Sequence, residues 1–316
     1  MTLKRKSIWN KVYEFRGNIK GDKIVTVNEK YNQSDMEHEI KNIYLFSVDL
    51  EDVRFLIDEG LNYAERVPLM TEKYLSFLDE HSCKATFFVV GDVAKAYPEL
   101  ISRIVQKGHE IACHTNKHVP LVNMNIKTFQ KDLAENMKIL YDAGVKSIYG
   151  FRAPIFSITE KTLWVYKALV DMGFVYSSSV LPAKNPLYGW SEFGRNVRLM
   201  ENKIWELPMS LFKSSLISFP YAGGIYFRLL PFFVTKNLAK NSWKQNQPVL
   251  GYAHPYDIDQ EQEHFMHPGI NNNRMYNKLM YVNRGTLLKK IEKIISIGGK
   301  IIPYIDYVNE MSVKNI

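Results

Sequence analysis

Two histidines stand four residues apart in His114-Thr115-Asn116-Lys117-His118. On one helical turn, side chains at i and i+4 share a face, and two imidazoles so placed can hold a divalent metal such as zinc. Two unrelated polar histidines on a loop would read the same way, so the spacing needs company. Asp49-Leu50-Glu51-Asp52 supplies it, with three acids in four residues. Taken alone, that cluster is a solvated turn or a helix N-cap. Beside the histidines it offers what a hydrolytic metal site still needs: a hard carboxylate ligand and a base for the attacking water. Arg152, before Ala153-Pro154, can hold a neighbouring carboxylate ionised and oriented. His254, in Tyr252-Ala253-His254-Pro255-Tyr256-Asp257, follows an apolar run and can protonate a departing amine.

The elements that must position these groups alternate in type. Strand-like apolar runs cover residues 42–48, 84–90, 110–113, 148–151, 174–177, 203–208, 248–253 and 300–304. Helical spacing covers 68–81, where Leu69, Tyr74, Leu75 and Leu78 share a face, and also 94–107, 126–143, 159–172 and 286–297. Gly108, Gly144 and Gly173 follow three of these helices as left-handed stops. The βαβα order predicts a parallel sheet covered by helices, a distorted (β/α) barrel whose chemistry lies where strands end. The polar and ionisable groups fall there repeatedly, after Val48, Cys113, Phe151 and Ala253. Residues 1–40 are polar and poorly periodic, which predicts an irregular arm or lead-in ahead of a catalytic domain over 41–316.

Composition narrows the partners. The chain has 316 residues, 46% hydrophobic and 23% charged, enough for one sizeable core. The formal net charge is +8, which favours anionic partners such as phosphate-bearing glycans or a phospholipid surface. Outside Lys4-Arg5-Lys6 there is no dense basic block, so nucleic acid is not expected. Cys83 and Cys113 lie in apolar runs and predict buried reduced thiols. The first twenty residues hold no apolar h-region, and the apolar stretch 216–234 is broken by Pro220, Gly223, Gly224, Arg228 and Pro231. The expectation is a cytoplasmic protein, with peripheral contact to the inner membrane face as a further expectation. Aromatic residues make up 13% of the chain. They serve a core by default, and Tyr188, Trp190, Tyr221 and Tyr226 lie in loop-like stretches as candidates for stacking on sugar rings.

Taken in order, five segments resemble the polysaccharide deacetylase family, the family-four carbohydrate esterases. Phe46-Ser47-Val48-Asp49 is similar to a strand ending in the family's general-base aspartate. The run from Lys84 to Gly91 is similar to its second strand. The run from Gly108 to His118 is similar to its metal motif, Phe151-Arg152-Ala153-Pro154 to its arginine motif, and Tyr252-Ala253-His254-Pro255 to the site of its general-acid histidine. The resemblance extends from about Ile43 to Tyr304. Glu206-Leu207-Pro208-Met209-Ser210 and the run from Gly223 to Pro231 are similar to a subgroup associated with exopolysaccharide and surface-glycan loci.

The resemblance implies a metal-dependent N-deacetylase acting on an N-acetylated glycan, with Zn2+ the expected ion. Asp49 is then the base, Arg152 its partner, His254 the acid, and His114 and His118 metal ligands. The family's usual pair of adjacent aspartates is interrupted by Leu50 here, so the third ligand is Asp52 or Glu51. A short carboxylate after a bulge can turn back toward the metal, which favours Asp52; an Asp-x-Asp arrangement points to Glu51. Ile155-Phe156 replaces the usual glycine after Arg152-Ala153-Pro154, which implies a reshaped cleft. The acidic motif that orients the acid histidine is missing, Ser177-Ser178-Ser179 standing in that region; Asp257 is the candidate partner of His254. Two alternatives stay open: a hydrolase of another amide or ester, and a catalytically silent glycan-binding homologue.

Overall fold

The computed structural model describes residues 41–184, 188–214, 218–268, 270 and 272–314. The lead-in expected over 1–40 lies outside the described residues. From the start of the described chain run β1 (Ile43–Leu50), α1 (Val67–Glu80), β2 (Thr86–Val89), α2 (Gly91–Ala96), α3 (Pro98–Gln106), β3 (Glu110–Cys113), α4 (Ile126–Asp142), β4 (Gly150–Phe151), α5 (Trp164–Asp171) and β5 (Tyr176–Ser177). The second half adds β6 (Arg198–Leu199), β7 (Trp205–Glu206), β8 (Leu211–Lys213), β9 (Ser218–Pro220), α6 (Gly224–Leu229), α7 (Phe232–Lys244), β10 (Val249–Ala253), α8 (Arg274–Leu279), α9 (Leu287–Ser296), β11 (Lys300–Ile301) and α10 (Tyr304–Lys314).

The main sheet has the order β10-β1-β2-β3-β4-β5-β7-β6, with β11 also paired to β1. Its pairs are parallel except β6–β7 at one edge, and β8–β9 form a separate antiparallel ribbon. The sheet curls into the expected distorted barrel with helices around it. Every residue of β1 is buried, as a strand covered on both faces must be. Its alternation still sorts the side chains. Phe46, Val48 and Leu50 pack in the cluster that holds Met70, Tyr74 and Leu78 of α1. Ser47 and Asp49 take the other face, opposite Thr86 and Phe88 of β2 in register.

Several boundaries differ from the sequence reading. The helix expected over 94–107 is two helices, interrupted at Tyr97 because Pro98 disfavours helical backbone in the residue before it. Leu69 is half exposed, and Met70 takes its place on the buried face of α1. The strand expected over 300–304 ends at Ile301, and Tyr304 begins α10. The apolar stretch 216–234, where described, becomes β9, α6 and the start of α7, and among the described residues no helix is long and apolar enough to cross a membrane. Gly108, Gly144 and Gly173 do take left-handed backbone at the helix ends. Cys83 and Cys113 are buried and unbridged.

Candidate active site at the strand ends

The parallel strands β1, β3, β4 and β10 end together, and the chemistry collects at that end. After Leu50 the chain folds back tightly, the Glu51 N–H donating to the Asp49 carbonyl at 3.1 Å. This turn sends the two acids to different partners. Asp49 forms a buried ion pair with Arg152. Glu51 faces the imidazoles, with Oε2 2.8 Å from His118 Nε2 and Oε1 3.6 Å from His254 Nε2. The Tyr256 hydroxyl donates to Glu51 Oε1 at 3.0 Å, which leaves Oε2 directed at His118.

Asp52 is elsewhere, which corrects the expected preference for it over Glu51. Its carboxylate accepts from the Arg54 N–H at 2.9 Å, capping the short 3-10 helix over Val53–Phe55, and Arg54 and Tyr97 flank it. A side chain held in an N-cap cannot also reach the histidines. Glu51, His114 and His118 form the group that could hold a metal, one ligand atom from each lying within 4.8 Å of the others.

His114 extends the β2–β3 ladder by donating its N–H to the Val89 carbonyl at 3.1 Å. The turn that brings His118 beside it is not helical, as the i, i+4 argument supposed. Thr115 and His118 have φ of 63° and 52°, so two left-handed residues curl the loop until the rings are 5.0 Å apart. Asp132 on α4 steadies it by accepting the Asn116 N–H at 2.8 Å.

The donor set fits a divalent ion. His114 Nδ1 lies 2.8 Å from the Arg152 carbonyl oxygen. A carbonyl can only accept, so Nδ1 carries the proton and Nε2 presents its lone pair, the arrangement that metal-binding histidines use. Burial, with His118 beside it, pushes the His114 imidazolium down to about 4, so the ring is neutral over the physiological range. Burial works against ionisation of Glu51, but His118 and His254 outweigh it and hold the carboxyl well below its usual range. Two imidazoles and one carboxylate are a donor set that could hold a divalent ion.

Arg152 is fully buried. It donates to the Ser47 and Ser178 hydroxyls at 2.7 and 3.0 Å, to the Ser178 carbonyl at 3.0 Å and to the Tyr304 hydroxyl at 3.0 Å. Ser178 thus serves the arginine rather than the acid histidine. The surroundings of His254 are built locally. His254 Nδ1 lies 2.8 Å from Asp257 Oδ2, and the same oxygen accepts the His254 N–H at 2.8 Å. Burial opposes a charged His254, but Glu51 and Asp257 overcome it and push the ring up to about 9.

The structure therefore brings Asp49, Arg152, His114, His118, His254 and Glu51 together at one end of the strands and leaves Asp52 outside the imidazole group. Of the proposed stacking residues, Tyr221 is buried, its hydroxyl 2.9 Å from Ser242 Oγ, and Trp190 packs on Phe193; Tyr226 keeps 40% exposure. The sequence reading missed Tyr256, Tyr304 and Arg228. Tyr256 lies within the same short motif as His254, but a tyrosine in such a run gives no sign that its hydroxyl reaches a carboxylate some two hundred positions away.

Comparison with known proteins places this site in context. Residues 52–173 match the polysaccharide deacetylase family model, and residues 178–298 match a domain of unknown function (DUF3473). Over 103 residues, 32% of this chain and 46% of the relative, the sequence is 37% identical to a chitooligosaccharide deacetylase of Sinorhizobium fredii. Over 125 residues, 39% of this chain and 44% of the relative, it is 32% identical to a peptidoglycan-N-acetylglucosamine deacetylase of Bacillus cereus. The chain spans less than half the length of these curated relatives. A crystal structure from Mycobacterium smegmatis, assigned as a polysaccharide deacetylase, shares the fold at TM-score 0.56 with 19% identity, covering 87% of this chain and 92% of that one.

Proposed function

We propose that this chain, which matches the polysaccharide deacetylase family model over residues 52–173, is a metal-dependent hydrolase that removes N-acetyl groups from an amino sugar in a polysaccharide or surface-glycan precursor. The observation that carries this reading is the meeting of three groups at one end of the sheet: the Glu51–His114–His118 cluster, the Asp49–Arg152 pair and His254. The names of the relatives support an N-acetylated glycan as the substrate class.

Glu51, His114 and His118 would hold the ion, for which zinc suits two imidazoles and a carboxylate. When bound, it supplies Lewis acidity toward the acetyl carbonyl and lowers the pKa of a water molecule. The chain's own residues do the rest. Asp49 takes the proton of the attacking water, oriented by its ion pair with Arg152. An N–H after Arg152 receives the developing oxyanion. In that turn Ala153 donates to Ser179 Oγ, Pro154 has no N–H, and Phe156 and Ser157 donate to the Ala153 and Pro154 carbonyls. Ile155 is thereby the donor left without a partner among the described residues. His254 delivers a proton from Nε2 to the departing amine, its Nδ1 anchored at Asp257. The products are acetate and a free amino sugar.

The test is acetate release from N-acetylated chitooligosaccharide and from peptidoglycan fragments, with and without chelator. Activity should vanish with chelator, return with zinc, and fall by about 100-fold or more in Asp49→Asn. Full activity in metal-stripped Asp49→Asn protein would refute the mechanism. A silent glycan-binding homologue would bind the glycan and release no acetate.

A further inference from the structure

Asp257 divides its two oxygens. One faces His254, and the other lies 2.9 Å from Arg228 Nη2, a side chain with no accessible surface and no place in the chemistry above. Arg228 sits in the last turn of α6 and donates further to the carbonyls of Val282 at 2.5 Å and Met280 at 3.1 Å. A carboxylate gripped at both oxygens cannot swing, so the ring hydrogen-bonded to it cannot turn. The free edge of that ring, Nε2, is the one that points at Glu51. Stability alone does not call for such a pair, since apolar replacement of a buried ion pair is often neutral or stabilising.

The start of α6 shapes the same wall. A Cβ at Gly223 would stand 2.1 Å from Tyr252 Cδ1, so only glycine lets the Tyr252 ring close against this segment. That ring meets His254 edge-on at a centroid distance of 5.5 Å. The Gly223-to-Arg228 run thus supports His254 from two directions.

We propose that Arg228 is a positioning residue for proton delivery: it fixes Asp257, Asp257 fixes the His254 ring, and Nε2 is held toward the nitrogen that leaves the acetyl group. All three residues lie in the 178–298 stretch whose matching domain carries no assigned function. The proposal gives that stretch the proton-delivery half of the active site. It rests on the deacetylase reading.

The test uses the full chain loaded with zinc, as wild type, Arg228→Met and Arg228→Lys. On N-acetylated chitooligosaccharide, Arg228→Met should lose about 100-fold in kcat with KM changed less than about threefold, and Arg228→Lys should recover part of the loss. On 4-nitrophenyl acetate, whose phenolate leaves without a proton, Arg228→Met should stay within about threefold of wild type. Equal loss on both substrates, or none on the glycan, overturns the proposal. Should Arg228→Met fail to fold, Arg228→Met/Asp257→Asn removes both charges and is compared with Asp257→Asn; a further large loss in kcat would show that Arg228 acts elsewhere. Histidine 15N spectra give a readout independent of activity. Recorded at a pH high enough to leave the His254 ring a single proton, they should show that proton on Nδ1 in wild type and a tautomer mixture in Arg228→Met, and an unchanged spectrum would contradict the proposal. If wild type releases no acetate from any glycan, the deacetylase reading fails, and the spectra still decide whether Arg228 orders His254.

Discussion

The ring of His114 is anchored on the backbone of Arg152: Nδ1 lies 2.8 Å from the Arg152 carbonyl oxygen, while the guanidinium of the same residue pairs with Asp49. One residue therefore links the imidazole pair to the buried Asp49 carboxylate, through its main chain in one direction and its side chain in the other.

The two roles are separable. Arg152→Met keeps the carbonyl and removes the charge, leaving Asp49 buried without its partner. Stability should fall by about 3–5 kcal/mol, the usual cost of breaking a buried pair, and kcat by about 100-fold or more. Zinc affinity should stay within about tenfold of wild type, because His114 is held by the main chain. Denaturant unfolding, steady-state kinetics and calorimetric zinc titration check the three outcomes, and loss of zinc binding with intact kcat would contradict the separation.

Ile155 carries strain next to the site. Its φ of 53° and ψ of 26° lie in the left-handed region, which a β-branched residue reaches at a cost of about 1–2 kcal/mol. Its side chain is 39% exposed, so little packing is lost on removal. Ile155→Gly should therefore raise the midpoint of thermal unfolding, while the looser turn lowers kcat/KM. Calorimetry and kinetics on the same preparation test this; a lower midpoint would show that the turn is not strained.

Glu110 gives a pH signature in stability. It sits on the inner face of β3, accepting from Thr86 Oγ1 at 2.6 Å, from the Tyr176 hydroxyl at 2.8 Å and from the Ile305 N–H at 3.1 Å, at the start of α10. Burial pushes its carboxyl up from 4.5 to about 7. The folded state then binds a proton that the unfolded chain has released, so this group's contribution is complete below about 4.5 and is lost as the pH climbs through 7. Across that window stability should decline by up to about 1.4 kcal/mol per pH unit, and Glu110→Gln should flatten the decline. Urea unfolding at a series of pH values measures it, and parallel curves for the two proteins would rule out Glu110 as the source.

The sequence was most legible where strands end in chemistry. His114, Arg152 and His254 each follow a buried apolar run, and a parallel barrel exposes side chains there, so their convergence could be anticipated. Glu51 and Asp52 were not separable, because the answer lies in a tight turn closed by a main-chain bond from Glu51 to Asp49. A signal was nonetheless present: Asp52 directly precedes a helical turn, the position where aspartate caps rather than ligates. Asp257 was readable in a similar way, as the third residue after His254 with Pro255 between them, the spacing of a capping box. Arg228 and Tyr304 were not readable, because their partners are tertiary: a loop and a strand end brought near by the sheet's closure.

The central claim is that Glu51, with His114 and His118, holds a divalent ion and that Asp52 does not. Calorimetric zinc titration of apo Glu51→Gln and Asp52→Asn beside wild type tests it most directly. The geometry predicts a loss of about 100-fold or more in affinity for Glu51→Gln, and near wild-type binding for Asp52→Asn, whose amide oxygen can still cap the following turn. Stoichiometric tight binding by Glu51→Gln together with none by Asp52→Asn would contradict it.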